Sequence, residues 1–398
     1  MTMHRKRALA AISAATLAGF LLTGCTAAGG AGDGEASGDA APIRIGAISS
    51  ITGPAPFPEV PAAAQAVFDR VNAEGGIDGR MIEFISEDDG ADPAQASQAA
   101  RRLVDENEVV AMVGSASLVE CSANAAFYAQ RGIVSLTGTG VEPTCFESAN
   151  IAPVNNGTIQ GYASLLYFAS EELGHDRVCP VILNSAGLTD PYLDLIDGWK
   201  AETGSEPPLV DTTVNLGDDV TPVLLAVRDA GCEAVVFNSN EPVATAFMNT
   251  AKQQDVLDGV DYLTLTSAYS EAVVDTLDEQ GTLGLYANSE FVPFIGDDPE
   301  LEEWRTTLTE AEVPLTSLSQ GGYVAAEIMV EALRGIDGEI TPEAVRQALL
   351  DAGEIENPLL GMPFVFTDAD AHNPNRASLM VQATEDGWVT ASDWVVVP

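Results

Sequence analysis

Lysine occurs at three positions only, 6, 200 and 252, and histidine at 4, 175 and 372. The 398-residue chain carries 17 lysines and arginines against 60 acids, a net charge of -43. An average chain of this length would hold about 50 residues of each sign, so the imbalance comes mostly from missing bases. Such a surface repels phosphates, which excludes nucleic acid and anionic membrane surfaces as partners. Two histidines beyond the first residues supply neither a His-rich metal site nor a His-centred catalytic site. Nor do the known glycine motifs occur. Gly138 and Gly140 are not part of a G-x-G-x-x-G loop, and Ser115 to Ser122 lacks the G-x-S-x-G elbow. Asp88-Asp89 after a strand reads as capping acids, not an acid/base pair. Asp368-Ala369-Asp370 with Asn373 reads as a turn, because the glycine and distal glutamate of a calcium loop are missing. The sequence therefore calls for no catalytic residue, no cofactor and no metal, and for a protein that is not an enzyme.

What is present is apolar. Charged residues make up 19% and hydrophobic ones 46%, which excludes a disordered acidic chain and allows two to three domains. His4-Arg5-Lys6-Arg7 precedes the uncharged run Ala8 to Leu22. That run is too short for a span of ~20 residues and has the layout of a secretory signal. Leu22-Thr23-Gly24-Cys25 resembles the lipobox of bacterial lipoproteins, which implies cleavage after residue 24 and a lipid anchor on Cys25. Residues 25–42 are nearly all small or acidic and read as a flexible tether. Cleavage removes three bases and no acid, leaving 14 bases against 60 acids, or -46. The expected location is extracytoplasmic, held at the cell membrane.

From Ile43 onward, short apolar runs alternate with amphipathic ones. Strands are expected at 43–49, 81–86, 109–113 and 133–136, and helices at 61–72, 94–106 and 121–130. Asp92-Pro93 supplies a cap with proline at the first helical position. The alternation restarts after Asn155-Asn156-Gly157, with helices at 160–173, 192–202, 221–230 and 243–254 and strands at 178–183, 234–237, 262–265 and 284–287. Later helices fall at 304–311 and 321–334, Thr341-Pro342 caps another, and 378–383 and 388–397 read as strands. Repeated β-α-β implies parallel sheets covered by helices. Two such α/β units without a cofactor loop imply a binder whose ligand lies between them, beyond the carboxyl ends of the strands.

Outside the cytosol, the four remaining cysteines, Cys121, Cys145, Cys179 and Cys232, allow three disulfide pairings. Cys121 and Cys145 fall in one unit and Cys179 and Cys232 in the other, so local pairing gives one staple per unit. Buried free thiols are the alternative.

The chain resembles the type I solute-binding proteins of ABC transporters, specifically the leucine/isoleucine/valine-binding family. The resemblance rests on Ile45-Gly46, Thr52-Gly53-Pro54, Asn72 to Arg80, Asp88-Asp89, Asp92-Pro93, Ala99 to Leu103, Gly114 to Tyr128, Gly132-Ile133, Gly322-Tyr323 and Glu331-Ala332-Leu333. It implies two Rossmann-like lobes joined by a three-strand hinge, lobe 1 being 43–155 with 292–366 and lobe 2 being 156–291 with 367–398. It also implies a monomer that captures a small molecule and delivers it to an ABC permease, as in branched-chain amino acid transport. In the family's amino-acid binders, hydroxyl and backbone donors hold the carboxylate and an acid holds the ammonium. Those positions fall at Leu118, Thr139 and Val141, and at Thr266 for the acid. The tyrosines that wall the cleft fall near Gly187 to Leu188 and at Asn240, while Phe57 is expected to stand in for an aromatic of the first loop. A shift of register would place Ser117 for Leu118 and let Glu241 supply the acid. Candidate ligand residues are therefore Phe57, Ser117, Leu118, Thr137, Thr139, Val141, Asn240, Glu241, Thr266, Ser267 and Tyr269. Without the zwitterion clamp, the expected ligand is an amide, a small organic acid or an aromatic compound. The rival functions are a ligand sensor coupled to a membrane receptor and an extracytoplasmic hydrolase.

Overall fold

The computed structural model describes residues 41–53, 56–184, 189–296, 298–372 and 374–397. The signal segment, most of the tether, Cys25, Pro54, Gly187, Leu188 and Asn373 lie outside the described residues.

Strands β1 (Ile43–Ser49), β2 (Ile82–Asp88), β3 (Ala111–Val113) and β4 (Ser135–Leu136) form a first sheet in the order β2-β1-β3-β4, every pair parallel. Ile43, Ile45, Ala47 and Ile48 are all buried, because a central parallel strand is covered on both faces. Helix α1 (Glu59–Ala73) buries Val60, Ala64, Val67, Phe68 and Val71, the stripe expected from their spacing. Helix α2 (Pro93–Arg101) starts where Asp92 accepts the N–H groups of Ala94 and Gln95 at 2.8 and 2.9 Å. Helices α3 (Glu120–Arg131) and α4 (Pro143–Phe146) follow.

The second sheet is built on β5 (Val178–Val181), β6 (Ala234–Phe237), β7 (Asp261–Thr264) and β8 (Tyr286–Ser289), again parallel. Its alternating side chains enter two cores. Val236 and Leu263 pack with Tyr162, Ile196 and Trp199 from α5 (Gly157–Tyr167) and α6 (Thr189–Thr203). Val235 and Phe237 pack with Leu224, Phe247 and Leu277 from α7 (Thr221–Ala230), α8 (Glu241–Gln253) and α9 (Glu271–Gln280).

The structure differs from the sequence reading in several places, among them the short helix α4, which has no counterpart there. Residues 102–106 and 168–172, expected as plain helix, are wound one residue wider per turn. Both lie at a helix's last turn, where the final carbonyls lack helical partners in any case. Helix α9 was not anticipated. Its apolar set is thin, Val273, Val274 and Leu277, and Ser270 fixes its start by accepting the Val273 N–H at 3.3 Å.

After α10 (Glu302–Glu310), α11 (Ser317–Arg334) and α12 (Pro342–Ala352), a small hairpin pairs β9 (Glu354–Ile355) with β10 (Phe364–Val365). Strand β11 (Ala377–Thr384) then joins β8 antiparallel, flanked by β12 (Gly387–Thr390) and β13 (Val395–Val396), so the tail extends the parallel second sheet with antiparallel strands. Helix α11 packs along α1 beside the first sheet. Their approach requires glycine, since a Cβ on Gly322 would collide with the Val60 carbonyl.

Disulfides join Cys121 to Cys145 and Cys179 to Cys232, the local pairing in each half. Among the described residues no helix is long and apolar enough to cross a membrane.

Candidate ligand site

Three segments connect the elements of the first sheet to those of the second, and one buried carboxyl knits them together. Glu290 is 3% exposed, and its carboxylate accepts the Gly157 N–H at 2.9 Å and the Asn155 side-chain amide at 3.1 Å. Asn375 in the third segment donates to the carbonyls of Glu290 and Val154 at 3.0 and 3.2 Å. Burial pushes the Glu290 carboxyl up to about 7. Gly157 sits at φ +75°, in the left-handed region, with the Phe146 ring against the position a Cβ would take. His372 links the segments further: its ring nitrogens lie 3.0 Å from the Ser148 carbonyl and 2.9 Å from that of Thr367.

Beside this junction is a cavity of about 360 Å³. Val141, Pro143 and Phe146 contribute from the loop and short helix after β4, Asn156, Ile159 and Gln160 from the start of α5, and Pro191 and Asp194 from α6. Glu147 and Thr158 complete the lining, so that five apolar side chains alternate with five polar ones, the mixture of apolar wall and placed polar groups from which small-molecule sites are built. Of the larger depressions, one of about 460 Å³ lined by Glu327, Glu331, Glu354 and Glu356 involves elements of one half only, whereas one of about 660 Å³ lies between Glu271, Asp275 and Trp388 on one side and Phe294, Arg305 and Leu315 on the other.

Of the candidate residues, the structure brings Val141 to this cavity. Ser117 is 4% exposed and its hydroxyl is already engaged. It donates to Asp89 and accepts the N–H groups of Val119 and Glu120, both at 3.0 Å. Leu118 is half-buried, and its N–H meets the Ser50 hydroxyl at 3.4 Å. Thr137 is 1% exposed and its hydroxyl has no hydrogen-bond partner among the described residues. Thr139 is buried, donates its N–H to the Ser115 carbonyl at 3.2 Å and lies against Gly321 of α11. Phe57 is half-buried, tied by its N–H to the Ser50 carbonyl at 2.8 Å.

On the second-sheet side, Thr266 places its hydroxyl 3.3 Å from that of Ser317 at the head of α11, a contact between the two halves. Its N–H meets the Asn288 side chain at 2.8 Å. Ser267 is exposed and donates to the Ser239 carbonyl. Asn240 is exposed and caps α8 through the Val243 N–H at 3.3 Å. Glu241, also exposed, stands opposite Glu59 of α1. Burial first, and the Glu241 charge in addition, hold the Glu59 carboxyl above its usual value. Tyr269 turns into an aromatic cluster, its ring 4.5 Å from Phe294 and 5.3 Å from Trp388.

Asp88 builds a turn, accepting the N–H groups of Ile51, Thr52 and Gly90 and the Thr52 hydroxyl. The Thr52 hydrogen bond foremost holds its carboxyl below the usual value. Asp89 is spent on Ser50, Ala91 and Ser117. Asp368 pairs with Arg346 at 2.6 Å. Cys121, Glu142 and Cys145 cluster as metal ligands would, but the two sulfurs are bonded to each other.

Sequence reasoning missed Phe146, Asn156, Ile159, Gln160 and Pro191. The available signal was the Asn156 and Gln160 pair, four residues apart at a helix start and therefore on one face.

Fold and cavity together define an α/β protein of two similar halves with a cavity beside the segments that join them. A family model described as periplasmic binding protein matches residues 42–387, and the chain belongs to that family. An amino acid binding protein of Pseudomonas aeruginosa is 34% identical over 198 residues, 48% of this chain and 51% of that one, so the match spans about half the length of the curated relative. A possible leucine/isoleucine/valine-binding protein from Rhodopirellula baltica shares the fold with a TM-score of 0.74 at 19% identity, covering 89% of this chain and 97% of that one. The branched-chain amino acid transporter substrate binding protein LivJ from Streptococcus pneumoniae, solved with isoleucine, gives a TM-score of 0.72 at 17% identity over 89% and 99% of the two chains.

Proposed function

We propose that this protein is an extracytoplasmic solute-binding lipoprotein, anchored through Cys25, that captures a small molecule between two lobes and delivers it to an ABC permease. The lobes are 43–155 with 292–366, and 156–291 with 367–398. The observation that carries the reading is the cavity formed by Val141 and Phe146 from one side of the junction and Gln160 and Pro191 from the other. Closure of two lobes about three crossing segments would enclose a ligand there. The ligand is a small solute other than a standard α-amino acid. Ser117 is committed to Asp89 and the start of α3, and Thr266 stands where an ammonium-holding acid is expected.

Calorimetric titration of the protein with leucine, isoleucine and valine tests the ligand, and micromolar binding of any of them would refute it. Uptake of the identified solute in a deletion strain tests the transport role. Uptake should fall, and unchanged uptake would point to a sensor.

A further inference from the structure

We infer that the cavity selects a neutral carboxamide, held by Asn156 and Gln160; this rests on the solute-binding reading above. Asn156 is 2% exposed, and its Nδ2 donates to the Ala377 carbonyl at 3.3 Å and the Ser378 hydroxyl at 2.6 Å. Because a carbonyl can only accept, that orientation of the amide is fixed, and Oδ1 is left as an acceptor. Oδ1 is buried and has no hydrogen-bond partner among the described residues. Gln160 lies four residues further, on the same face, and its buried Nε2 is likewise without a partner. Both residues line the cavity, and each carries one buried, unpaired polar atom, an acceptor on Asn156 and a donor on Gln160, whose missing partner a ligand would supply.

A primary amide satisfies both at once, its N–H going to Asn156 Oδ1 and its carbonyl accepting from Gln160 Nε2. A carboxylate fails on two counts. It would set an anionic oxygen against Asn156 Oδ1, and no lysine, arginine or histidine lines the cavity to neutralise it. Glu147 and Asp194, both exposed at the lining, add repulsion. An amine would find those acids but could not accept from Gln160. The rest of the lining, Val141, Phe146 and Ile159, suits a compact apolar body.

The test is calorimetric titration of the full chain with matched sets of short- and medium-chain primary amides, carboxylates and amines sharing one carbon skeleton, such as isovaleramide, isovalerate and isoamylamine. The amide of at least one set should bind about tenfold or more tightly than its matched acid and amine. Gln160→Glu, which keeps the size but presents acceptors, should weaken that amide about tenfold with an unchanged melting temperature, whereas Gln160→Met should weaken it without favouring the acid. Carboxylates or amines binding as tightly as the amides, no amide binding, or Gln160→Glu leaving the affinity unchanged would overturn the inference. Saturable one-to-one binding of some other solute would leave the solute-binding reading standing, while a broad solute panel that never raises the melting temperature would remove both.

Discussion

The Asn155 amide donates to the Glu290 carboxylate at 3.1 Å across 135 residues of sequence, and the same oxygen takes the Gly157 N–H at 2.9 Å. Burial holds this carboxyl up to about 7, against 4.5 for an unperturbed glutamate. Between those values the native state keeps a proton that the unfolded chain has released, so stability falls as pH rises. The contribution is fully present below about pH 4.5, is lost by about pH 7, and amounts to on the order of 3 kcal/mol. Glu290→Gln keeps an oxygen for both donors and removes the titration. Urea midpoints at pH 5 and pH 8 should therefore show the parent chain losing more stability on going to pH 8 than the variant. Equal losses would rule out Glu290 as the source.

Glu120 offers an independent case in the first half. It is fully buried, accepts the Tyr128 hydroxyl at 2.6 Å and is likewise raised to about 7 by burial. Because the site is separate, Glu120→Gln should flatten the pH dependence additively with Glu290→Gln. A double variant no flatter than either single one would contradict this.

Ser117→Ala separates an architectural role from ligand contact. The change removes the acceptor for the Val119 and Glu120 N–H groups and a donor to Asp89, so a loss of about 1–2 kcal/mol is expected from denaturant titration. Affinity for the bound solute should stay within about twofold, as Ser117 is not among the residues lining the cavity. A large affinity loss with little loss of stability would place Ser117 at the ligand.

The disulfides should differ in worth. Loops of 53 and 24 residues separate the paired cysteines, which in the loop-entropy model gives about 4 kcal/mol for Cys179–Cys232 and about 3.5 kcal/mol for Cys121–Cys145. Alanine pairs at each site, compared by thermal unfolding, should show the larger drop at 179 and 232. Alkylation with and without reductant should show four blocked thiols among these residues.

Gly322→Ala should destabilise by about 1–3 kcal/mol, because its methyl meets the rigid Val60 carbonyl in place of a side chain that could turn aside. A melting temperature within a degree of the parent would show that α1 and α11 separate at little cost.

Much of the architecture was legible in local signals. Asp92-Pro93 and Thr341-Pro342 announced their helices, and apolar runs such as Ile43 to Ser49 announced buried strands. The assignment of each cysteine pair to one half followed from the alternation. Helix α9 escaped because three apolar residues in ten make a weak stripe. The site was less legible. Candidates were sought just after strands, where hydroxyl side chains abound, yet Ser117, Ser267 and Asn240 spend their polar atoms on the backbone. The cavity takes its lining from helix starts at Pro143, Gly157 and Thr189, whose convergence depends on tertiary packing.

Strand β11 pairs with β8, although almost ninety residues separate them, whereas the four strands of the first sheet come from the stretch 43–136. The two halves therefore differ in when they can fold. The first sheet can assemble from contiguous chain, while the second leaves β8 with an open edge until residues 377–384 arrive. During synthesis, or on refolding from denaturant, that edge stays open to mispairing until β11 covers it.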